Sequence, residues 1–547
     1  MGRCMNINKN GYSPVFKVII SILVFGFLSG LLAAQHQVKH IGTEKQLFVD
    51  DELVDYADGV KWRVNQPRKA GPVLRPLPET EGPYLLTGSI LQVEDAYWMY
   101  YGSITPSAWL ARYWEGEVPG EARVMTRLAK SHDGIHWHRA QINRFDIGRG
   151  KENAIVIPSG YGTLFMDPHQ TRGAPFWFIG NICENPWWEA SEGAIHTLLD
   201  SEGEKVGGAM YLCYSKNGLT WQRIKTPILP IWCDTQNQAF YDPFIKKYVA
   251  YVRGRVDKLR SVHRSESEKL DQLPWKYEIK PGTAIGPGGY IDKMVYEEWP
   301  AVITYDSLDP AYTDIYTPNV HIYPYAESRT YLAFLPVYRR YKFHDSHGRD
   351  TRGKYKNDGP IEIQLAVSRD GIKWKRYHEP YIPLGRMDEL DGGCLYMGVG
   401  MIRKGSEIYQ YYTGSPWTHG SYRYQPELSN AVFRAVQRLD GFVSVNAGRE
   451  GGEIVTHPII FSGNRLQLNI NCGAMGEAWV EILDNSGNPL PGFRMEDCVS
   501  VDRNGVDQEV WWKDGPDVSA LSGKTIRLRI RMRSSKLFAL KFVENRK

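Results

Sequence analysis

The sequence predicts an all-β protein, a five-bladed β-propeller over residues 35–440 followed by a β-sandwich over 441–547, and three observations lead there. One seven-residue pattern, S-x-[DN]-G-[IL]-x-W, is written three times: SHDGIHW at 131–137, SKNGLTW at 215–221 and SRDGIKW at 368–374. The spacing is regular, since Asp133 and Asn217 are 84 residues apart and Asn217 and Asp370 are 153 apart, close to twice as far. Finally, the readable segments are short, aromatic and β-branched, turn residues separate them, and long helical periods are absent. Self-similarity at such a period signals one supersecondary module repeated.

The elements follow in order. An apolar run, KVIISILVFGFLSGLLAAQ (17–35), stands behind Lys9 and Lys17 and reads as a secretory signal ending near Ala34; an uncleaved membrane anchor is the alternative. Each unit then reads as an inner strand, an aromatic strand such as AYWMYYGS (96–103), and an Asp-Gly or Asn-Gly hairpin whose aliphatic residue and Trp alternate along the next strand. HRSESEKLDQLPW (263–275) fills the gap in the spacing, and QRLDGFVSV (437–445) is a last echo, so five units are expected. Four-stranded sheets repeated about an axis make a propeller. In TIRLRIRMR (525–533), Ile526, Leu528, Ile530 and Met532 alternate with Arg527, Arg529, Arg531 and Arg533, the pattern of a half-buried antiparallel sheet. The arginine row is either a solvated face or a contact for an anionic polymer.

Composition narrows the function. A formal charge of +4 on 547 residues, with no basic stripe, P-loop or dinucleotide-binding glycine pattern, argues against a nucleic-acid partner. None of the seven cysteines forms a C-x-x-C, so no metal or redox cofactor is expected; Cys472 and Cys498 either pair or stay buried thiols.

The inner-strand segments carry the chemistry. Each unit places a carboxylate there: Glu81, Asp167, Asp234 with Asp242 trailing, Asp314, and Glu389 with Asp391. Glycoside hydrolysis needs one carboxylate as base or nucleophile and one protonated carboxyl as acid. Glu81 and Asp234 are the leading pair, Glu389 and Asp391 compete for a third role, and Asp167 stands in reserve. Asp167 and Asp242 precede proline and also suit turns. His169, Asn237 and Asn319 lie in the same segments as candidate sugar contacts, and Trp187, Trp188, Trp417 and His419 sit in loops where flat rings can stack on sugar faces.

LFVDDELV, GSILQVEDAYWMYYG, FYDPFIKKYVAYVRG, the S-x-DG-x-x-W hairpins and RLDGFVSVNAGREGGEIVTHPIIF together resemble secreted bacterial proteins related to the family 32 and family 43 glycoside hydrolases. The resemblance implies a five-bladed propeller with three axial acids from different blades, carried here onto Glu81, Asp234 and Glu389 or Asp391. The W-M-N-D-P-N-G signature of invertases is absent, so fructan specificity is not implied. The expectation is a secreted or periplasmic glycoside hydrolase acting on a poly- or oligosaccharide, with no cofactor, no nucleic-acid partner and no stable membrane association once the signal is cleaved. A carbohydrate-binding propeller without catalysis is the alternative.

Overall fold

The computed structural model describes residues 38–104, 124–145, 153–157, 160–182, 198–199, 205–206, 209–229, 233, 235–257, 259–276, 299–341, 358–421 and 428–544. Asp234, Trp187, Trp188 and the apolar leader lie outside them. The regular elements of the described chain are nearly all strands, and among the described residues no helix is long and apolar enough to cross a membrane.

Five antiparallel groups of strands, the first to fifth sheets, follow one another along the chain; the last two are continuous in one ten-stranded sheet, joined by a parallel pairing of Ile361 with Cys394. Their inner strands are Leu85–Val93, Tyr161–Met166, Gln238–Asp242, the pair Thr313–Ile315 and Val320–Ile322, and Cys394–Met397. The second strands are the aromatic runs Ala96–Ile104, Phe176–Ile182, Lys247–Val256, Tyr331–Arg339 and Glu407–Ser415. These runs are buried on both faces, which is why they read as apolar throughout rather than alternating. The fifth sheet takes its outer strand from Arg68–Leu74, near the start of the described chain, paired with Ala431–Arg438. The Asp-Gly echo at 440–441 is therefore not a hairpin of that sheet; the chain turns there and leaves along Val443–Ala447 into the C-terminal sheets.

Buried polar groups tie the five inner strands into a closed circuit. Ser89 Oγ accepts from Leu164 N (2.7 Å), and Thr163 Oγ1 donates to the Asn237 carbonyl (2.6 Å). Gln238 brackets Val320, donating to its carbonyl and accepting from its N–H at 2.5 and 2.8 Å. Asn319 donates to the Met397 and Gly398 carbonyls (3.0 and 3.1 Å), and Val399 N returns to the Gly88 carbonyl of the first sheet (2.8 Å). Each link satisfies a buried group that would otherwise cost about 1–3 kcal/mol.

The three repeated motifs join the third and fourth strands of the first, second and fourth sheets. They are wider loops than the two-residue turns expected. In each, the serine Oγ accepts from the glycine N–H at 2.9 Å. The Asp or Asn Oδ1 accepts from the N–H groups two and three residues on, at 2.7–2.9 Å. Only the glycine takes positive φ, at 74°, 71° and 74° in Gly134, Gly218 and Gly371. Its carbonyl accepts a tyrosine hydroxyl from the second strand of the neighbouring sheet: Tyr411 to Gly134 (2.5 Å), Tyr100 to Gly218 (3.1 Å) and Tyr251 to Gly371 (2.8 Å). The motif recurs because the same loop docks the same neighbour three times.

Two six-stranded sheets occupy the C-terminal part, packed on one apolar cluster that holds Ile526, Leu528, Ile530 and Met532 as expected. The expected division at residue 441 leaves out four of their twelve strands. Lys39–Gly42 and Val54–Asp58 lie in one of these sheets, and Gln46–Leu47 and Val60–Val64 in the other, so residues 39–64 pair with C-terminal strands. The arginine row faces carboxylates on adjacent strands: Arg527 meets Asp55, Arg529 meets Glu481, Arg531 meets Glu453 and Arg533 meets Glu477. Each positive charge is matched, so the row is an ion-pair ladder and not a polyanion surface. Cys472 and Cys498 are free thiols.

Candidate active site

Four inner-strand segments carry a tyrosine, and ring and electrostatic contacts bring these tyrosines together. Tyr84 leads into the first, Tyr161 opens the second, Tyr316 follows Thr313–Ile315 in the fourth sheet, and Tyr396 lies in Cys394–Met397 of the fifth. All four are half-buried. The rings of Tyr316 and Tyr396 stand 5.6 Å apart at 61°. Burial and the nearby phenol of Tyr316 push the Tyr161 pKa up, and burial with Cys394, Tyr84 and Tyr316 does the same to Tyr396. His419 completes the group, its Nε2 2.9 Å from the Tyr316 hydroxyl oxygen.

Charge gathers on one side of this mouth. The guanidinium carbons of Arg253 and Arg260 lie 4.5 and 5.1 Å from the Tyr316 ring centroid. Asp314, fully buried, accepts from Arg260 N and Nη1 (2.6 and 2.8 Å) and lies 3.0 Å from Arg340 Nε. Asp358 fixes the loop that bears His419, because its Oδ1 accepts from Gly359 N and Gly420 N at 2.8 Å while His419 N donates to the Gly359 carbonyl at 2.9 Å.

The expected site residues distribute differently. Glu81 stands at the leading end of the first inner strand, but both its oxygens are bound. Arg139 donates from Nε and Nη2 (2.8 and 2.6 Å), Tyr101 from its hydroxyl (2.6 Å) and Leu77 from its N–H (2.9 Å). Burial alone would raise its pKa; the Arg139 hydrogen bonds and the Arg139 and Arg127 charges outweigh that and hold it below the ordinary glutamate value. It is an anchored anion, poorly suited to give a proton. Asp167 sits at the trailing end of its strand as a turn residue, accepting from Tyr248 Oη, His169 N and Thr171 N at 2.7, 3.0 and 2.7 Å. His169 is exposed beside it, edge-on to Tyr241.

Glu389 is partly exposed and caps its own turn through Arg386 N (2.9 Å). Asp391 is bound by Lys69 Nζ (2.8 Å) of the outer strand and by Tyr412 Oη (2.9 Å), which places it against the face of the fifth sheet. Asn237 and Asn319 are fully buried and hold backbone: Asn237 accepts from Arg253 N and donates to the Thr235 carbonyl (both 2.9 Å). Trp417 is 3% exposed, packed on Ile104 with Tyr84 alongside, and so covers core. Of the expected contacts within the described residues, His419 reaches Tyr316 of the tyrosine mouth, and Trp417 stands beside Tyr84 with ring centroids 6.1 Å apart. Asp234 lies outside those residues; its neighbours Cys233 and Thr235 are tied to Asn181, which accepts from Cys233 N and donates to the Thr235 carbonyl at 3.2 Å.

The tyrosines and arginines of the mouth are not among the residues expected from the sequence, where carboxylates mark hydrolytic chemistry more plainly. The signal was present: GPYLL, GYGTL, DIYTP and CLYMG each set a tyrosine at the start of an inner-strand segment. One further cluster brings ligand-type atoms together, Asp306, Asp309 and His378 on the flank of the fourth sheet. Arg376 already pairs with Asp309, and His378 Nε2 lies 2.9 Å from Asp306, so the carboxylates are satisfied without a cation.

No family model matches the chain, and no curated protein does. Solved structures are similar at low identity. A glycosyl hydrolase from Bacteroides ovatus is 13% identical, over 71% of this chain and 97% of its own, with a TM-score of 0.38. Exo-inulinase from Aspergillus awamori is 10% identical, over 88% and 99%, with a TM-score of 0.38. A structure from the GH130 family of mannoside phosphorylases, described as containing glycoside hydrolases that target β-1,2 mannosidic linkages in Candida mannan, is 14% identical, over 71% and 96%, with a TM-score of 0.40.

Proposed function

We propose that the chain is a glycoside hydrolase in which the five sheets are the blades of a propeller, the two C-terminal sheets form an accessory β-sandwich, and a saccharide binds at the tyrosine mouth. The observation that carries this reading is the convergence of Tyr84, Tyr161, Tyr316 and Tyr396, from four different sheets, with His419. Half-buried phenols offer an apolar face for a sugar ring and a hydroxyl for its polar edge. The apolar leader supports export to the cell envelope or beyond. Asp234, which opens the third inner-strand segment, is the proposed carboxylate base or nucleophile.

A second reading, carbohydrate binding without catalysis, is favoured by one fact: Glu81, Asp314 and Asp391 are each held by a cationic side chain. Incubating the purified protein with a panel of poly- and oligosaccharides, with product analysis, separates the two. Hydrolysis that falls by at least about 100-fold in Asp234→Asn supports the enzyme. Saccharide binding with no product from the wild type supports the binding protein instead.

A further inference from the structure

We propose that Tyr316 donates the proton to the departing sugar oxygen and that His419 resupplies it, an inference that rests on the hydrolase reading above. The two carboxylates nearest in role are committed elsewhere. Glu81 is an anion with both oxygens bound, and Asp314 is shared between Arg260 and Arg340. Tyr316 carries a neutral hydroxyl rather than a carboxylate. It is half-buried at the mouth, and its hydroxyl oxygen is 2.9 Å from His419 Nε2. That imidazole is held firmly, since its backbone N–H is bonded to Gly359, its loop is pinned by Asp358, and its ring lies 4.9 Å from that of Tyr338 at 33°.

Electrostatics favour the transfer. As the proton leaves, negative charge grows on the phenol oxygen, and the Arg253 and Arg260 guanidiniums over the ring, at 4.5 and 5.1 Å from its centroid, are already in place to meet it. Fixed charges in a site shielded from water act more strongly there than in bulk solvent and need no reorganisation. Tyrosine is within the range of side chains that serve as general acids.

The step balances as follows. The Tyr316 O–H bond breaks and its proton moves to the glycosidic oxygen. The bond from the anomeric carbon to that oxygen breaks, and the electron pair stays with the oxygen, which leaves as an alcohol. The phenolate takes a proton from Nε2 of protonated His419. Water supplies its oxygen to the anomeric carbon and gives its proton to a base, from which solvent returns it to His419. One water is consumed, and no group is oxidised or reduced.

Leaving-group dependence tests this directly. An alkoxide leaves poorly without a proton, whereas 4-nitrophenolate leaves without one. The full chain, Tyr316→Phe and His419→Gln are assayed on matched methyl and 4-nitrophenyl glycosides, with thermal melts to confirm folding. Tyr316→Phe is expected to lose at least about 100-fold in turnover on the methyl glycosides and less than about tenfold on the 4-nitrophenyl ones, with KM little changed; His419→Gln follows the same pattern more weakly. Equal losses on both series would show a structural role and overturn the proposal, as would wild-type turnover in Tyr316→Phe. Neither of those results touches the hydrolase reading, which fails if the wild type yields no product from the saccharide panel.

Discussion

At the scale of single residues, the site turns on which carboxylates are free to exchange a proton. Glu81 is 1% exposed and bound to Arg139, so Glu81→Gln should act on stability more than on turnover. Removing one member of a buried pair leaves the other charge uncompensated, at about 3 kcal/mol. The folded pKa of Glu81 lies below its unfolded value. Its stabilising contribution is therefore present above the unfolded value, near about 4.3, and lost as pH falls through the lowered folded value. Denaturant titrations of wild type and Glu81→Gln should show a gap at pH 7 that narrows below about pH 4; a gap independent of pH would contradict the assignment. Glu81 reads as one of the leading acid/base pair because a sequence shows a carboxylate at a strand entrance but not the arginine that arrives from a strand 58 residues later.

At the scale of elements, the repeated loop was legible and its mechanism was not. Asp-Gly and Asn-Gly pairs signal a turn, but the serine two positions before explains itself only once its Oγ is seen accepting from the glycine N–H. Asn217 already does in one loop what Asp133 and Asp370 do in the others, so Asp133→Asn should leave stability within about 0.5 kcal/mol. Asp133→Ala and Ser131→Ala remove acceptors for backbone N–H groups and should each cost about 1 kcal/mol, measured by thermal or denaturant unfolding. Equal stability in Ser131→Ala would show that the serine is incidental. The buried second strands and the alternation of TIRLRIRMR were readable because they depend on local pattern; the carboxylates that neutralise the arginine row come from strands as distant as Asp55 and could not be seen.

At the scale of the whole molecule, chain ends carry the closure. Arg68–Leu74 completes the fifth sheet, and residues 39–64 complete the two C-terminal sheets. No local pattern announces a pairing between strands nearly the full chain length apart, which is why the boundary at 441 looked clean in the sequence. A fragment of residues 441–547 should therefore lack a cooperative thermal transition, and a cooperative melt by circular dichroism would show that the N-terminal strands are dispensable. The same long-range assembly brings the four tyrosines together, and we propose that a saccharide is bound and cleaved where they meet. Tyr396→Ala removes one ring from that mouth, while Trp511→Ala removes an exposed ring from the C-terminal part. The most direct measurement is kcat/KM for the saccharide that the panel shows to be cleaved, compared across wild type and these two variants. A loss of at least about tenfold is expected in Tyr396→Ala, equivalent to about 1.4 kcal/mol, with Trp511→Ala unchanged; undiminished cleavage in a folded Tyr396→Ala would rule out the tyrosine mouth as the site.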